Sequence, residues 1–200
     1  MSTPRGTPLF LLNTVLYSGG SLSLRVFEPR YMDMVKDCLR AQTPFGVCLL
    51  ERGEEVITAS GPASVASVPH LVGTLASIAD WDMPQMGILN IVVHGGSRFR
   101  ILDHCVAMNG LMWATTEHVP EPPVTPIPGD YARLVPMLRA LIEGLEEARP
   151  PQPYRFYDAA WVADRWAELL PLPPQKRQQL LELNDGVARL EAIYRFLEQS

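Results

Sequence analysis

The sequence predicts an α+β protein: a small, mostly antiparallel, barrel-like sheet over residues 8–118, then a helical bundle over 130–199. Three observations lead there. Residues 9–118 contain about six or seven short apolar runs separated by glycine and proline, and only one early stretch of helical period. Prolines at 120, 122, 123, 126 and 128 make 119–129 a stiff, extended linker that regular sheet cannot include. Beyond it the apolar spacing becomes helical, with Tyr131, Leu134, Val135, Leu138, Leu141, Ile142 and Leu145 on one face.

The first run, 9–17, is apolar except at Asn13 and Thr14, and Ser18-Gly19-Gly20 supplies a turn open to positive φ. Leu22, Leu24 and Val26 alternate with Ser21, Ser23 and Arg25, the period of a half-buried strand. Pro29 suits the first turn of a helix, which runs to about Ala41 with Met34, Val35, Cys38 and Leu39 inward, and Thr43-Pro44 ends it. Residues 45–50 form a strand and 51–55 a turn. Val56 and Ile57 are too short a run to assign, and 60–70 is an irregular connection. Strands follow at 71–78 and 87–94, joined by a loop over 79–86. Gly95-Gly96-Ser97 is a turn or bulge, with strands at 98–105 and 111–118 after it. In the bundle, helices over 158–170 and 175–184 precede one that Asp185 caps, with Val187, Leu190, Ile193, Tyr194 and Leu197 inward.

Composition narrows the function. Two hundred residues suit one domain, or one domain with a helical appendage, and 47% hydrophobic content is ample for a core. A net charge of −5 disfavours a nucleic-acid surface. No apolar run approaches the ~20 residues that span a bilayer, and the first residues lack the apolar segment of a secretory signal. Cys38, Cys48 and Cys105 are odd in number and lack CxxC spacing, so a reduced, cytoplasmic setting is expected.

The opening stretch PLFLLNTVLYSGGSLSLRVFEPRYMDMV resembles the signature of the Lon amino-terminal (substrate-binding) domain family, roughly P-L-F-P-L-x-x-V-L-F-P-G followed by L-x-L-x-I-F-E-x-R-Y. Leu11 and Ser18 stand where that family usually has proline, and Tyr17 where it has Phe; these alter the chain path, not chemistry. GT-x-A-x-I at 73–78, G-x-x-RFRI at 95–101, WVADRWAELLPLP and the closing LLELNDGVARLEAIYRFL extend the resemblance over nearly the whole chain. It implies a PUA-like β fold, a carboxy-terminal helical bundle and a bacterial module of stand-alone type. Such a module binds unfolded or partly folded polypeptide through exposed apolar residues, alone or with a separate protease or chaperone.

The residues support no catalytic assignment. The 200 residues contain no G-x-x-x-x-G-K-[ST] and no G-x-S-x-G, so neither an ATPase nor a hydrolase is expected. His70, His94, His104 and His118 form no close ligand pair; His94 and His104 facing each other on adjacent strands would be the nearest to one. No metal or other cofactor is expected. Glu28, Arg30 and Tyr31 read as a structural motif: an acid beside a helix start, an arginine paired to an acid, and a tyrosine packed on the sheet. Arg98 and Arg100 flank an inward Phe99 on a solvated sheet face. The loop Trp81-Asp82-Met83-Pro84-Gln85-Met86 is the candidate binding surface, because a tryptophan and two methionines replace the small polar residues usual in a hairpin connection. Tyr17, by the first turn, is expected to join it. Two alternatives stand beside polypeptide binding: RNA, which PUA-like folds also serve, and a small-molecule or enzymatic pocket in the β part.

Overall fold

A computed structural model describes residues 6–52, 67–145 and 149–199. Its strands are β1 (Thr7–Leu12), β2 (Ser21–Val26), β3 (Phe45–Arg52), β4 (Val68–Pro69), β5 (Val72–Gln85), β6 (Ile88–Val106) and β7 (Met112–Val119). Its helices are α1 (Pro29–Ala41), α2 (Leu134–Gly144), α3 (Ala159–Leu169), α4 (Pro174–Glu182) and α5 (Gly186–Glu198), with a 3-10 turn at Gly129–Tyr131. The sheet order β1-β7-β6-β5-β3 closes on itself, because β3 also pairs with β1. That closing pair is parallel, with Leu9 opposite Gly46 and Leu12 opposite Leu49, and every other pairing is antiparallel. Parallel neighbours need a crossover, which β2 and α1 supply.

The barrel interior draws on all five closing strands: Leu9 and Leu11, Cys48 and Leu50, Leu75, Phe99 and Ile101, Met112 and Ala114. Phe99 fills it so tightly that a Cβ on Gly46 or Gly73 would lie 2.7 Å from its ring. Outside the barrel, α1 lays Tyr31, Met34, Val35 and Cys38 over Phe10, Phe45, Val47, Ile91 and Val93. Pro29 opens this helix and Gln42, at φ 53°, closes it.

On another side, α2–α5 pack against the barrel. Their cluster includes Val15, Tyr17, Leu49 and Val72 from the β part together with Leu138, Trp161, Val162, Leu181 and Leu190. Asp158 caps α3 through the Ala160 N–H, and Asp185 caps α5 by accepting from Val187 and Ala188 at 2.9 and 3.0 Å. No helix among the described residues is long and apolar enough to cross a membrane.

Several expectations change. The first run forms a strand only to Leu12; Val15, Leu16 and Tyr17 continue as irregular, buried chain. Residues 79–86 are not a loop, since β5 runs on to Gln85 and the reversal occupies Met86 and Gly87, the latter at φ +86°. Gly95-Gly96-Ser97, expected as a turn or bulge, is no turn: it lies inside β6, at one of its register shifts with β5, as a bulge would. Leu141 faces outward, whereas Leu134, Leu138 and Ile142 are buried. Val68–Pro69, expected to be irregular, pairs with β3. Most of the turn at 51–55, Val56-Ile57 and residues 60–66 lie outside the described residues.

Candidate functional site

Past Ile78, β5 leaves β3 and pairs only with β6, whose other edge here holds β2. A three-stranded ribbon, β2-β6-β5, results. Its registers align Leu24, Ile91 and Trp81 on one face, and Ser23, Val92 and Asp80 on the other, joined there by Arg25, Asn90 and Asp82. The first face is the one that α1 covers, so Ile91 is buried. Trp81, one strand further out, keeps 55% of its surface exposed; Met83 keeps 42% and Met86, in the reversal, 97%. Leu24, Arg25, Asp80 and Trp81 help line an open depression of about 320 Å³. The Trp81 N–H donates to Asp80 Oδ1 at 2.8 Å, and Pro84 has no N–H. The Trp81 N–H is thereby satisfied locally, and Trp81, Met83 and Met86 are the large apolar side chains that the arm exposes.

Tyr17 does not join this surface. It is fully buried where barrel and bundle meet, and its hydroxyl donates to the Arg177 carbonyl at 2.7 Å. Burial, reinforced by Asp164 and Glu168, drives its phenol far above the ordinary value.

Glu28, Arg30 and Tyr31 form a clasp. Arg30 Nε lies 2.9 Å from Glu28 Oε2, Arg30 Nη1 donates to the Gly110 carbonyl at 2.9 Å, and its guanidinium lies over the Tyr31 ring. Tyr31 stacks on Phe10 with ring centroids 4.0 Å apart. The start of α1 is thus tied to the β6–β7 reversal and to β1.

Arg98 departs most from expectation. It is 1% exposed, not solvated. It donates to the carbonyls of Leu181 and Pro120, at 2.8 and 2.7 Å, and to Asn184 Oδ1 at 2.7 Å. Arg100, two residues on and on the same sheet face, lies beyond the bundle's cover and faces Glu117 at 3.6 Å near the surface.

A second buried arginine, Arg165, donates from α3 to the carbonyls of Ser18 and Gly19 in the glycine turn and is ion-paired with Glu168 at 2.7 Å. Burial pushes the Glu168 carboxyl up from 4.5 to about 7, Asp164 adds to this, and Arg165 and Arg177 oppose it. A raised carboxyl contributes stability that is fully present below about 4.5 and is lost as pH rises through about 7. The stability difference between wild type and Glu168→Gln should therefore fall, at wild type's expense, as chemical denaturation is repeated from pH 4.5 to 7.5. A difference that stays flat contradicts this.

His94 and His104 both lie on β6, so they cannot face each other across strands. Among the described residues no three His, Cys, Asp or Glu side chains gather as a metal site. Cys38 and Cys48 are buried thiols whose surroundings raise their pKa.

Sequence reading passed over a second apolar tip. The β6–β7 reversal carries Met108, and the part of β6 that leads to it exposes Leu102 and Val106. The dipeptide Asn109-Gly110, at whose glycine φ is +81°, was the available signal.

The sequence model of the family described as ATP-dependent protease La (LON) substrate-binding domain matches residues 7–199. Relatives include the Lon proteases of Paraburkholderia phytofirmans, 28% identical over 195 residues, and Phenylobacterium zucineum, 27% identical over 195. These matches take in 93% and 94% of this chain but only 23% and 24% of the relatives, so the chain spans about a quarter of their length. Among solved structures, a Lon N-terminal domain protein from Xanthomonas campestris is 32% identical at a TM-score of 0.74, covering 94% of this chain and 96% of that one. The N-terminal domain of the Mycobacterium avium complex Lon protease is 16% identical at a TM-score of 0.60, over 94% and 95% of the two chains, a likeness of fold alone.

Proposed function

Because the chain belongs to the Lon substrate-binding domain family, we propose that it is a non-catalytic module that captures unfolded or partly folded polypeptide on exposed apolar side chains and presents it to a protease or chaperone. The observation that carries this reading is the β5–β6 arm, which holds Trp81, Met83 and Met86 outside the core. Tryptophan brings a large contact area, and methionine adapts to differently shaped apolar partners. Exposed large apolar groups that cost solubility mark interaction surfaces. Binding gains the burial of client side chains against the arm, offset by the ordering of both partners, so affinity is broad and modest.

The test is the triple variant Trp81→Ser, Met83→Ser, Met86→Ser. Its affinity for a labelled, permanently unfolded polypeptide should fall about tenfold or more. Its thermal melt should stay cooperative, because none of the three side chains is part of a buried cluster. Unchanged affinity would take the arm out of the binding surface.

A further inference from the structure

Where barrel and bundle meet, a cavity of about 180 Å³ opens beside the glycine turn. Its apolar lining comes from Val15, Leu16 and Leu22 on the β side and from Ile142, Leu145 and Leu169 on the helices. Arg165, Glu168 and Arg177 supply its polar end. Of these three, two are spoken for. Arg165 holds the turn carbonyls, and both Glu168 oxygens face it, Oε1 at 2.8 Å from Nη2 and Oε2 at 2.7 Å from Nε.

Arg177 is different. Its guanidinium makes one hydrogen bond, from Nη2 to the Leu170 carbonyl at 3.0 Å. Its Nε is buried without a hydrogen-bond partner, and no carboxylate among the described residues lies within ion-pair distance of it. A half-buried guanidinium with unused donors is a receptor for a carboxylate, whose two oxygens match the fork. The apolar volume beside it suits one side chain, since a cavity of about 150 Å³ walled by Leu, Ile and Phe accepts a single benzene. Leu22 belongs to β2, whose second edge is unpaired among the described residues, so main chain entering from that side meets no strand.

We propose that this cavity takes the carboxy-terminal residue of a bound polypeptide, with an apolar side chain among Leu22, Ile142 and Leu169 and the terminal carboxylate on Arg177. The inference rests on the reading of the chain as a polypeptide-binding module and adds which part of the polypeptide it holds. An internal residue offers only a neutral amide carbonyl at that point and leaves the unused donors of Arg177 without a carboxylate.

The experiment uses the full chain and two fluorescein-labelled peptides of one unfolded sequence ending in leucine, one with a free carboxylate and one amidated. The amide should bind about tenfold or more weakly than the acid. Arg177→Gln should bring the acid down to the amide's affinity and leave the amide where it was. The comparison of acid with amide on wild-type protein needs no variant, so a misfolded Arg177→Gln would not decide the matter. Equal, saturable binding of both peptides overturns the terminal-residue inference and leaves general polypeptide binding standing. Binding of neither overturns both. N-acetyl-leucine displacing the peptide at the peptide's own affinity also overturns it, since the cavity would then be a site for small carboxylic acids.

Discussion

Arg98→Met is expected to destabilise the protein by about 3 kcal/mol, through the junction of barrel and bundle. Arg98 bonds at once to the extended segment after β7, through Pro120, to the last turn of α4, through Leu181, and to the α4–α5 connection, through Asn184. Hydrogen bonds from a charged donor are worth more than neutral ones, and a truncation removes all three at once, leaving the Pro120 and Asn184 acceptors, which belong to exposed residues, to water. Leu181 keeps one, from Arg189 at 3.3 Å; the Pro120 carbonyl loses its Arg98 donor outright. A loss of this size lowers the melting temperature by on the order of 10 °C in a chain this long. Arg100→Met is the control, since Arg100 is half exposed and its ion pair among the described residues is with Glu117. Equal melting of the two variants would show that Arg98 does not hold the bundle to the barrel.

Gly95→Ala should cost about 3 kcal/mol, at the upper end of what overpacking does. The reason is close approach rather than an unusual φ. A Cβ at this position would lie 2.0 Å from the Tyr17 carbonyl oxygen, a main-chain atom that cannot swing aside. Gly95 also donates to the Gly20 carbonyl at 2.9 Å and accepts from Gly19 at 2.8 Å. Moving the 17–20 segment to relieve the clash would break these bonds and pull Tyr17 and the Arg165 contacts with it. Gly144→Ala, where a Cβ meets nothing within 4 Å, should melt at or slightly above wild type. A Gly95→Ala protein that melts with wild type would mean that β6 and the glycine turn are less closely packed than described.

These residues show what sequence can and cannot convey. The alternation of Leu22, Leu24 and Val26 gives β2 because a strand's period is local, and Asp185 gives the α5 cap because capping needs only neighbouring N–H groups. Arg98 and Arg100 are equivalent by that logic, as both share one sheet face. Only the docking of α4 and α5 separates them, and that depends on contacts more than eighty residues away. Residues 79–85 carry aspartates and a proline, which local propensity assigns to a loop. Pairing with β6 overrides propensity, and register shifts accommodate the misfit. Tyr17 sits in an apolar run that serves equally for a strand or a buried connection, and the bundle that buries it is specified by distant sequence. The exposure of Trp81 is the converse case: composition marks the stretch as unusual, and the length of the β5–β6 arm carries it beyond the cover of α1.

Fluorescence anisotropy decides whether the chain binds polypeptide as proposed. A labelled, permanently unfolded polypeptide and a labelled single-stranded RNA would each be titrated with the protein at two salt concentrations. Saturable binding of the polypeptide that changes little with salt, with no binding of RNA, is the expected result, because apolar burial is only weakly screened. Binding of RNA alone, weakening steeply as salt rises, would contradict the account and turn attention to the family's β fold as a nucleic-acid surface.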